Sequence, residues 1–176
     1  LYDALAVGEC DVLISALVVE PGRMDDVAYS TSYFDAGLVL VFPALQDQIL
    51  TSTVNMRDLA GMVVAVECAS GAEVEARRWS RRMRDLTVLP LTTPDDALAA
   101  VMSGDADTAL VDGISAHLFL RRQPGLTLVP EPVTSDPFAV AVRADDGSLL
   151  RAINASIDAM TADGRLDAIL ARWLWR

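Results

Sequence analysis

Short apolar runs alternate with amphipathic stretches along this chain, and the two periods predict strands and helices in turn. Strands are predicted at residues 11–17, 38–42, 62–68, 87–91, 108–112, 126–133 and 138–143. Helices are predicted at residues 1–8, 70–84, 93–103 and 114–122, and in two final stretches that end near Gly164 and Trp173. A connecting strand and a helical turn are expected within residues 44–61. Strands that alternate with helices predict an α/β fold with mainly parallel sheets.

One short unit occurs twice in the sequence. Gly8 and Asp11 precede the apolar run VLISAL, and Gly104 and Asp107 precede TALVD. Each copy follows a helical stretch, so each reads as helix, glycine cap, aspartate and buried strand. Ligands of open α/β sheets bind outside the carboxyl ends of the strands. The two copies therefore predict two lobes that face each other across one small cleft.

Two helix starts follow strands and have strong capping signals, one at Ser70 and one at Thr93, where proline follows at the first helical position and Asp95 and Asp96 lie in the first turn. Ser70 is followed three residues later by Glu73, which is the spacing of a capping box. The first N–H groups of a helix are unpaired and favour an anion, so we expect a carboxylate group of a ligand to bind there. Arg23 would clamp the same carboxylate, and Asp112 would accept an ammonium group. The alternative is that Arg23 and Asp112 are ordinary surface charges.

Composition excludes several classes of function. The chain has 176 residues, of which 52% are hydrophobic, and its formal net charge is −11. Nucleic acid is not an expected partner, because phosphate binding needs clustered cations. The basic run from Arg77 to Arg84 is interpreted as a solvated helix face. All 14 basic residues are arginine, which excludes a Schiff-base lysine and a P-loop lysine.

Cysteine and histidine are too sparse to indicate a catalytic or metal centre. Cys10 and Cys68 fall in different strand–helix units and are expected to be free thiols. A Cys68–His117 nucleophile pair is conceivable, but no third group that would orient His117 is evident. No pair of His or Cys residues has metal-ligand spacing, so neither a metal nor a cofactor is expected.

Five segments follow one another along the chain: DVLISALVVEPGRMDDVAYSTSYFDAG, DLAGMVVAVECASGAE, DDALAAVMSGDADTALVD, EPVTSDPFAVAVR and ADGRLDAILARW. In this order they resemble the extracellular solute-binding proteins of family 3. The resemblance covers essentially the whole chain. It implies a two-lobed periplasmic-binding-protein type II fold with a two-strand hinge near residues 42–43 and 135–137. Lobe 1 would comprise residues 1–42 and 135–176, incomplete at its N-terminus, and lobe 2 residues 43–134.

The resemblance also implies a set of ligand-binding residues. Arg23 matches the arginine that holds the ligand carboxylate, and Asp112 matches the aspartate that accepts the ammonium group. The remaining matches are the helix start at Ser70, Gly71 and Ala72, the strand end at Ser15, Ala16 and Val18, and Glu67 in the side-chain subsite. Val18 replaces the usual hydroxyl residue and Ala69 replaces a common glycine. Glu67 would favour a cationic ligand group; the alternative is that it is an ordinary solvated carboxylate.

The function implied is that of a non-enzymatic substrate-binding component of an ABC transporter, which recognises an amino acid or similar zwitterion. Such a protein works with a permease in the periplasm or outside the cell, and its precursor carries a signal peptide. The chain begins in mid-helix without such a peptide, so we expect a truncated form. A second copy would then complete the sheet of lobe 1 as a dimer. The alternatives are the sensing domain of a receptor and an enzyme similar to cyclohexadienyl dehydratase.

Overall fold

The computed structural model describes residues 1–44 and 54–175 and divides into two compact units. Unit 1 comprises Leu1–Ala36 and Asp136–Trp173, and unit 2 comprises Gly37–Ser135 with the chain end from Leu174. The chain therefore passes from one unit to the other at Ala36 and Gly37, and returns at Ser135 and Asp136.

The helices and strands follow the predicted order along the chain. They are α1 (Tyr2–Ala6), β1 (Val12–Val18), β2 (Val27–Tyr29), β3 (Phe34–Asp35), β4 (Leu38–Pro43), β5 (Val63–Glu67), α2 (Gly71–Ser80), β6 (Thr87–Leu91), α3 (Pro94–Ser103), β7 (Thr108–Asp112), α4 (Gly113–Arg122), β8 (Leu126–Leu128), β9 (Pro137–Arg143), α5 (Gly147–Ala162) and α6 (Arg165–Leu170). Short 3-10 turns lie at Pro21–Arg23 and Met56–Leu59, and a π-helical turn lies at Ala171–Trp175.

Unit 1 is built on strand β9, which lies between β1 and β2 and also pairs with β3. All three pairings are antiparallel. Leu5 of α1, Leu13 of β1, Val27 of β2 and Ala141 of β9 form its buried cluster. Helix α5 is capped by Asp146, whose carboxylate accepts the N–H of Leu149 at 3.0 Å.

Unit 2 contains a five-stranded sheet in the order β6-β5-β7-β4-β8. Strand β5 is parallel to β6 and β7, whereas β4 is antiparallel to β7 and β8. Alternate residues of the central strands enter two buried clusters. Val41, Ala65 and Ala109 belong to the cluster that contains residues of α3 and α4, whereas Leu110 belongs to the one that contains residues of α2. Burial on both faces explains why these strands read as continuous apolar runs.

The prediction of mainly parallel sheets is wrong, because the described sheet of unit 1 is antiparallel and that of unit 2 is mixed. Strands β4 and β9 directly follow the two places where the chain changes unit, and both run antiparallel to their neighbours. Only the strands joined through helices within unit 2 pair in parallel among the described residues. The direction of a strand thus depends on how the chain re-enters each unit.

The first crossing also lies earlier than the expected hinge near Phe42 and Pro43. Phe42 pairs with Thr127 and Pro43 with Leu126, so both belong to the sheet of unit 2. The wider partition into a lobe at residues 1–42 and 135–176 and a lobe at residues 43–134 stays a prediction. The connecting strand expected after Pro43 falls largely on residues outside the described ranges.

Several helix boundaries agree with the capping signals in the sequence. The Thr93 hydroxyl accepts the N–H of Asp96 at 3.1 Å, and the Asp96 carboxylate accepts the N–H of Thr93 at 3.1 Å. Gly104 ends α3 in the left-handed conformation with φ +84°, as a glycine cap requires. Two elements are shorter than predicted: α2 ends at Ser80 rather than at Arg84, and β8 ends at Leu128 rather than at Val133.

Leu110 tests the packing of unit 2, because its side chain is fully buried in the cluster under α2. We expect Leu110→Ala to lower the free energy of unfolding by about 2–5 kcal/mol, since it leaves a cavity in a packed core. Leu118→Ala is the control, because Leu118 is 40% exposed on α4, and we expect it to cost less than about 1 kcal/mol. Urea unfolding measures both, and equal losses would contradict this core.

Candidate functional site

The predicted ligand-binding residues are shared between the two units. Unit 1 carries the cation and the strand end, and unit 2 carries the helix start and the two carboxylates. The members in unit 1 are Ser15, Ala16, Val18 and Arg23, and those in unit 2 are Glu67, Ser70, Gly71, Ala72 and Asp112. In unit 2 the predicted residues lie at the ends of β5 and β7 and at the start of α2, whereas in unit 1 they lie on β1 and on the turn that follows it.

The start of α2 has the geometry of an anion-binding helix terminus. The Ser70 hydroxyl accepts the N–H of Glu73 at 3.2 Å and donates to the carbonyl oxygen of Glu67 at 2.7 Å. Within residues 1–44 and 54–175, no acceptor is paired with the N–H of Gly71 or Ala72. Those two donors and the helix dipole favour a negatively charged group at this position.

The expected capping box at Ser70 is only half formed. The Glu73 carboxylate accepts the N–H of Ala69 at 2.7 Å instead of that of Ser70, and it also binds the Arg77 guanidinium at 2.7 Å. These two partners hold the pKa of the Glu73 carboxyl below its usual range. The Glu73 carboxylate therefore binds the loop before α2, and the N–H of Ser70 has no acceptor among the described residues, whereas the Ser70 carbonyl accepts the N–H of Val74 at 3.2 Å.

Ala69, which precedes the helix cap Ser70, has φ +60°, in the left-handed region. That conformation costs a residue with a Cβ atom about 1–2 kcal/mol, and glycine avoids the cost. Ala16 in β1 has φ +48°. Each of the two units thus carries a strained alanine within a predicted ligand-binding segment, and such strain is typical of functional sites.

Asp112 ends β7 and caps the next helix. Its half-buried carboxylate accepts the N–H of Ser115 at 2.9 Å. Glu67 ends the neighbouring parallel strand, and the pairing of Ala65 with Ala109 places it opposite Val111, one residue before Asp112. Strand spacing and rise place the Glu67 and Asp112 Cα atoms about 6 Å apart. No ion pair involves either carboxylate within the described ranges.

Arg23 lies on the 3-10 turn that follows β1, where it has partners from its own unit. Its Nε donates to the Glu20 carboxylate at 2.8 Å, and the guanidinium lies 4.4 Å from the centre of the Tyr2 ring. Hydrogen bonding and charge from Glu20 raise the pKa of Arg23. The Tyr2 and Tyr29 hydroxyls are hydrogen-bonded at 2.9 Å. Burial, followed by that bond, raises the pKa of Tyr2 to about 12.

Sequence reasoning missed two of these partners, Glu20 and Tyr2. Glu20 was detectable, because it precedes Arg23 by three residues, a spacing that brings side chains together in a helical turn. Tyr2 was not, because its contact depends on how α1 packs beside the turn. A cleft in unit 1 includes Tyr2, Arg23, Asp26 and Arg143 in its lining.

Strand β1 carries Ser15, Ala16 and Val18, and it is an edge strand with β9 as its partner in the described sheet. The pairing is irregular between Leu13 and Leu17, where Ala16 has a left-handed backbone. Ile14, in the middle of β1, is 69% exposed. It lines a cavity of about 180 Å³ whose other walls are apolar or aromatic, namely Tyr33, Val140, Ile157, Met160 and Leu166.

Cysteine or histidine catalysis and metal binding have little support in the described part of the chain. Cys10 and Cys68 are free thiols, and burial lowers the pKa of His117. Among residues 1–44 and 54–175, no group of three His, Cys, Asp or Glu side chains has metal-binding geometry. Within the same ranges, no helix combines the length and hydropathy needed to cross a bilayer.

Comparison with known proteins places this architecture in a defined group. The family model described as bacterial extracellular solute-binding proteins, family 3, matches residues 1–176. The ABC transporter glutamine-binding protein GlnH of Bacillus subtilis (strain 168) is 25% identical over 95% of this chain and 59% of its own length. The virulence sensor protein BvgS of Bordetella bronchiseptica is 29% identical over 97% of this chain and 13% of its own length.

A solved structure confirms the predicted fold. The ancestral cationic amino acid solute-binding protein AncCDT-1 superposes with a TM-score of 0.77 at 26% identity, over 98% of this chain and 73% of that one. The two-lobed periplasmic-binding-protein type II fold is therefore confirmed. The chain spans less than two thirds of the length of GlnH, 59%, so it corresponds to part of that protein's fold.

The strain at Ala69 leads to a prediction about stability. We expect Ala69→Gly to raise the free energy of unfolding by about 0.5–1 kcal/mol, because relief of the left-handed strain exceeds the added chain entropy. Ala76→Gly is the control, because Ala76 lies inside α2 with ordinary backbone; it should lower stability by about 1 kcal/mol. Chemical unfolding measures both, and a loss in Ala69→Gly would contradict the strain.

Proposed function

The chain belongs to the bacterial extracellular solute-binding proteins of family 3, and on that premise we propose that it binds an amino acid or related small zwitterion. The function is that of the substrate-binding component of an ABC transporter, outside the cytoplasmic membrane, with a signal peptide in the precursor and a permease as partner. The family match along the whole chain and the name of the GlnH relative support this proposal.

Ligand recognition in this proposal uses opposite charges from the two units. Arg23 holds the ligand carboxylate, and the free N–H groups of Gly71 and Ala72 at the start of α2 add donors to it. Asp112 accepts the ammonium group. The observation that carries the proposal is this unpaired helix start beside a carboxylate that has no cation partner in the described structure.

The remaining predicted residues line the same site. Ser15, Ala16 and Val18 contribute the end of β1, Ser70 fixes the helix start, and Glu67 faces the ligand side chain. Binding closes the two lobes by a change at the crossings Ala36–Gly37 and Ser135–Asp136, as a shift between populated states. Val18 provides no hydroxyl, so the contacts at that position come from the backbone.

A ligand-sensing domain is the second candidate function. Its support is the 29% identity with BvgS, which is a sensor protein by name. Both candidates use the same binding chemistry and differ in what the closed form contacts. The enzyme alternative has less support, because the relatives named above are binding or sensor proteins by name.

A thermal-shift screen of the twenty amino acids, common polyamines and opines tests the binding proposal. We expect at least one compound to raise the melting temperature, because ligand that binds the folded state stabilises it. Arg23→Gln and Asp112→Asn should each weaken binding by about 2–5 kcal/mol, since the opposite ligand charge is left unpaired. Asparagine also caps helices well, so Asp112→Asn keeps α4 intact.

Two matched controls separate binding from stability in that screen. Asp146→Asn makes the same change at the cap of α5, and Arg122→Gln removes an arginine that is paired with Asp95. Both should leave the ligand-induced shift unchanged. The proposal is contradicted if the site variants keep the wild-type shift, or if no compound stabilises the folded chain.

Assembly through the edge of β1 is a further part of this proposal. Strand β1 has no charged side chain between Val12 and Val18, and its exposed Ile14 lines the apolar cavity beside α5. Helix α5 has no buried residue along Gly147–Ala162. Uncharged edge strands readily pair with another chain, and two β1 edges related by a two-fold axis would extend the sheet of lobe 1.

Light scattering of the purified chain tests this dimer. We expect a mass twice that of one chain, which falls toward one chain on dilution. Ile14→Lys should shift the equilibrium to monomer, because a lysine on the edge opposes strand pairing. Val74→Lys adds the same charge at an exposed position of α2 and should leave the dimer intact. A monomer at all concentrations would exclude this assembly.

A further inference from the structure

The guanidinium of Arg23 has two partners within unit 1. Glu20 accepts a hydrogen bond from its Nε at 2.8 Å, and Tyr2 lies under its face with the ring centre at 4.4 Å. The two partners come from different segments, one from the turn after β1 and one from α1. Arg23 is thus held by an anion and a ring at the same time.

Tyr2 is itself fixed, which makes this arrangement more than a chance surface pair. Its hydroxyl is hydrogen-bonded to that of Tyr29 at 2.9 Å, and burial raises the pKa of Tyr2 to about 12. The phenol therefore remains neutral at physiological pH and offers its ring face to the cation. The negative charge that directly faces Arg23 comes from Glu20.

The ion pair between Glu20 and Arg23 is accessible to a ligand. The side chains are 53% and 45% exposed, respectively. Exposed pairs of this kind change an equilibrium by about fivefold or less. A ligand carboxylate can therefore compete with Glu20 for Arg23, but it does so against a local negative charge. Ligands with more negative charge are affected more strongly.

The residues of unit 2 that belong to the proposed site also carry negative charge. Glu67 and Asp112 lie at the carboxyl ends of neighbouring strands, and neither has a cation partner among the described residues. Arg23 is balanced by Glu20, so the proposed ligand-binding residues keep two uncompensated carboxylates. An excess of negative charge at a site favours a ligand that carries net positive charge.

We infer that Glu20 is a specificity-determining residue, which neutralises Arg23 and directs the site toward ligands with net positive charge. This inference rests on the proposed function and names its ligand class: a basic amino acid or a diamine rather than an acidic amino acid. Glu20 acts on Arg23 and on the local charge, without a required contact to the ligand.

Calorimetric titration with arginine, glutamine and glutamate tests this assignment, because the three probes differ in side-chain charge. Wild type should bind arginine most tightly and glutamate least tightly. In Glu20→Gln the preference for arginine over glutamate should fall about fivefold, as the exposed pair predicts. Asp95→Asn is the matched control: it removes the carboxylate of the exposed Arg122 ion pair and should leave the preference unchanged.

The outcomes separate this inference from the proposed function. Binding that still needs Arg23 but shows the same arginine-to-glutamate preference in Glu20→Gln would overturn the role of Glu20 and leave the binding function standing. Binding of glutamate in preference to arginine by wild type would also overturn it. If none of the three probes or the wider amino-acid panel binds, the proposed function fails, and the ligand class falls with it.

Discussion

Burial of the central strands of unit 2 on both faces is the constraint on which the candidate site depends. Strands β4, β5 and β7 place alternate side chains in two separate clusters, so each strand is held from both sides. The register of β5 and β7 places their ends within one residue of each other at one edge of the sheet. The chain then enters α2 and α4 at that edge, which brings an open helix start and two carboxylates to the same part of the unit.

Much of this fold could be predicted because local signals are strong in unit 2. Continuous apolar runs identified the buried strands, and Thr93, Ser70 and Gly104 marked helix boundaries through their own hydrogen bonds or backbone conformation. Strand direction could not be predicted in the same way. A run such as residues 38–42 has the same pattern in either direction, and its pairing is decided by where the chain crosses between units.

The candidate site was predictable where the chemistry is local and not where it is tertiary. Ser70 and Asp112 cap the helices that follow them, and both roles depend on residues only three positions away. The pairing of Tyr2 with Tyr29 joins residues 27 positions apart, so no local pattern reveals that Arg23 rests on a fixed ring. The left-handed backbone of Ala16 and Ala69 was also hidden, because alanine normally avoids it.

The two units differ in how much apolar surface and how much strand edge they leave exposed. In unit 2 both faces of the sheet are covered by buried clusters. In unit 1 the strand β1 has β9 as its one partner among the described residues, and Ile14 is exposed. Helix α5 has no buried residue, although Ile157 and Met160 line an apolar cavity. Apolar surface of this kind gains free energy when it is removed from water. Covering this apolar surface would therefore stabilise unit 1 more than unit 2.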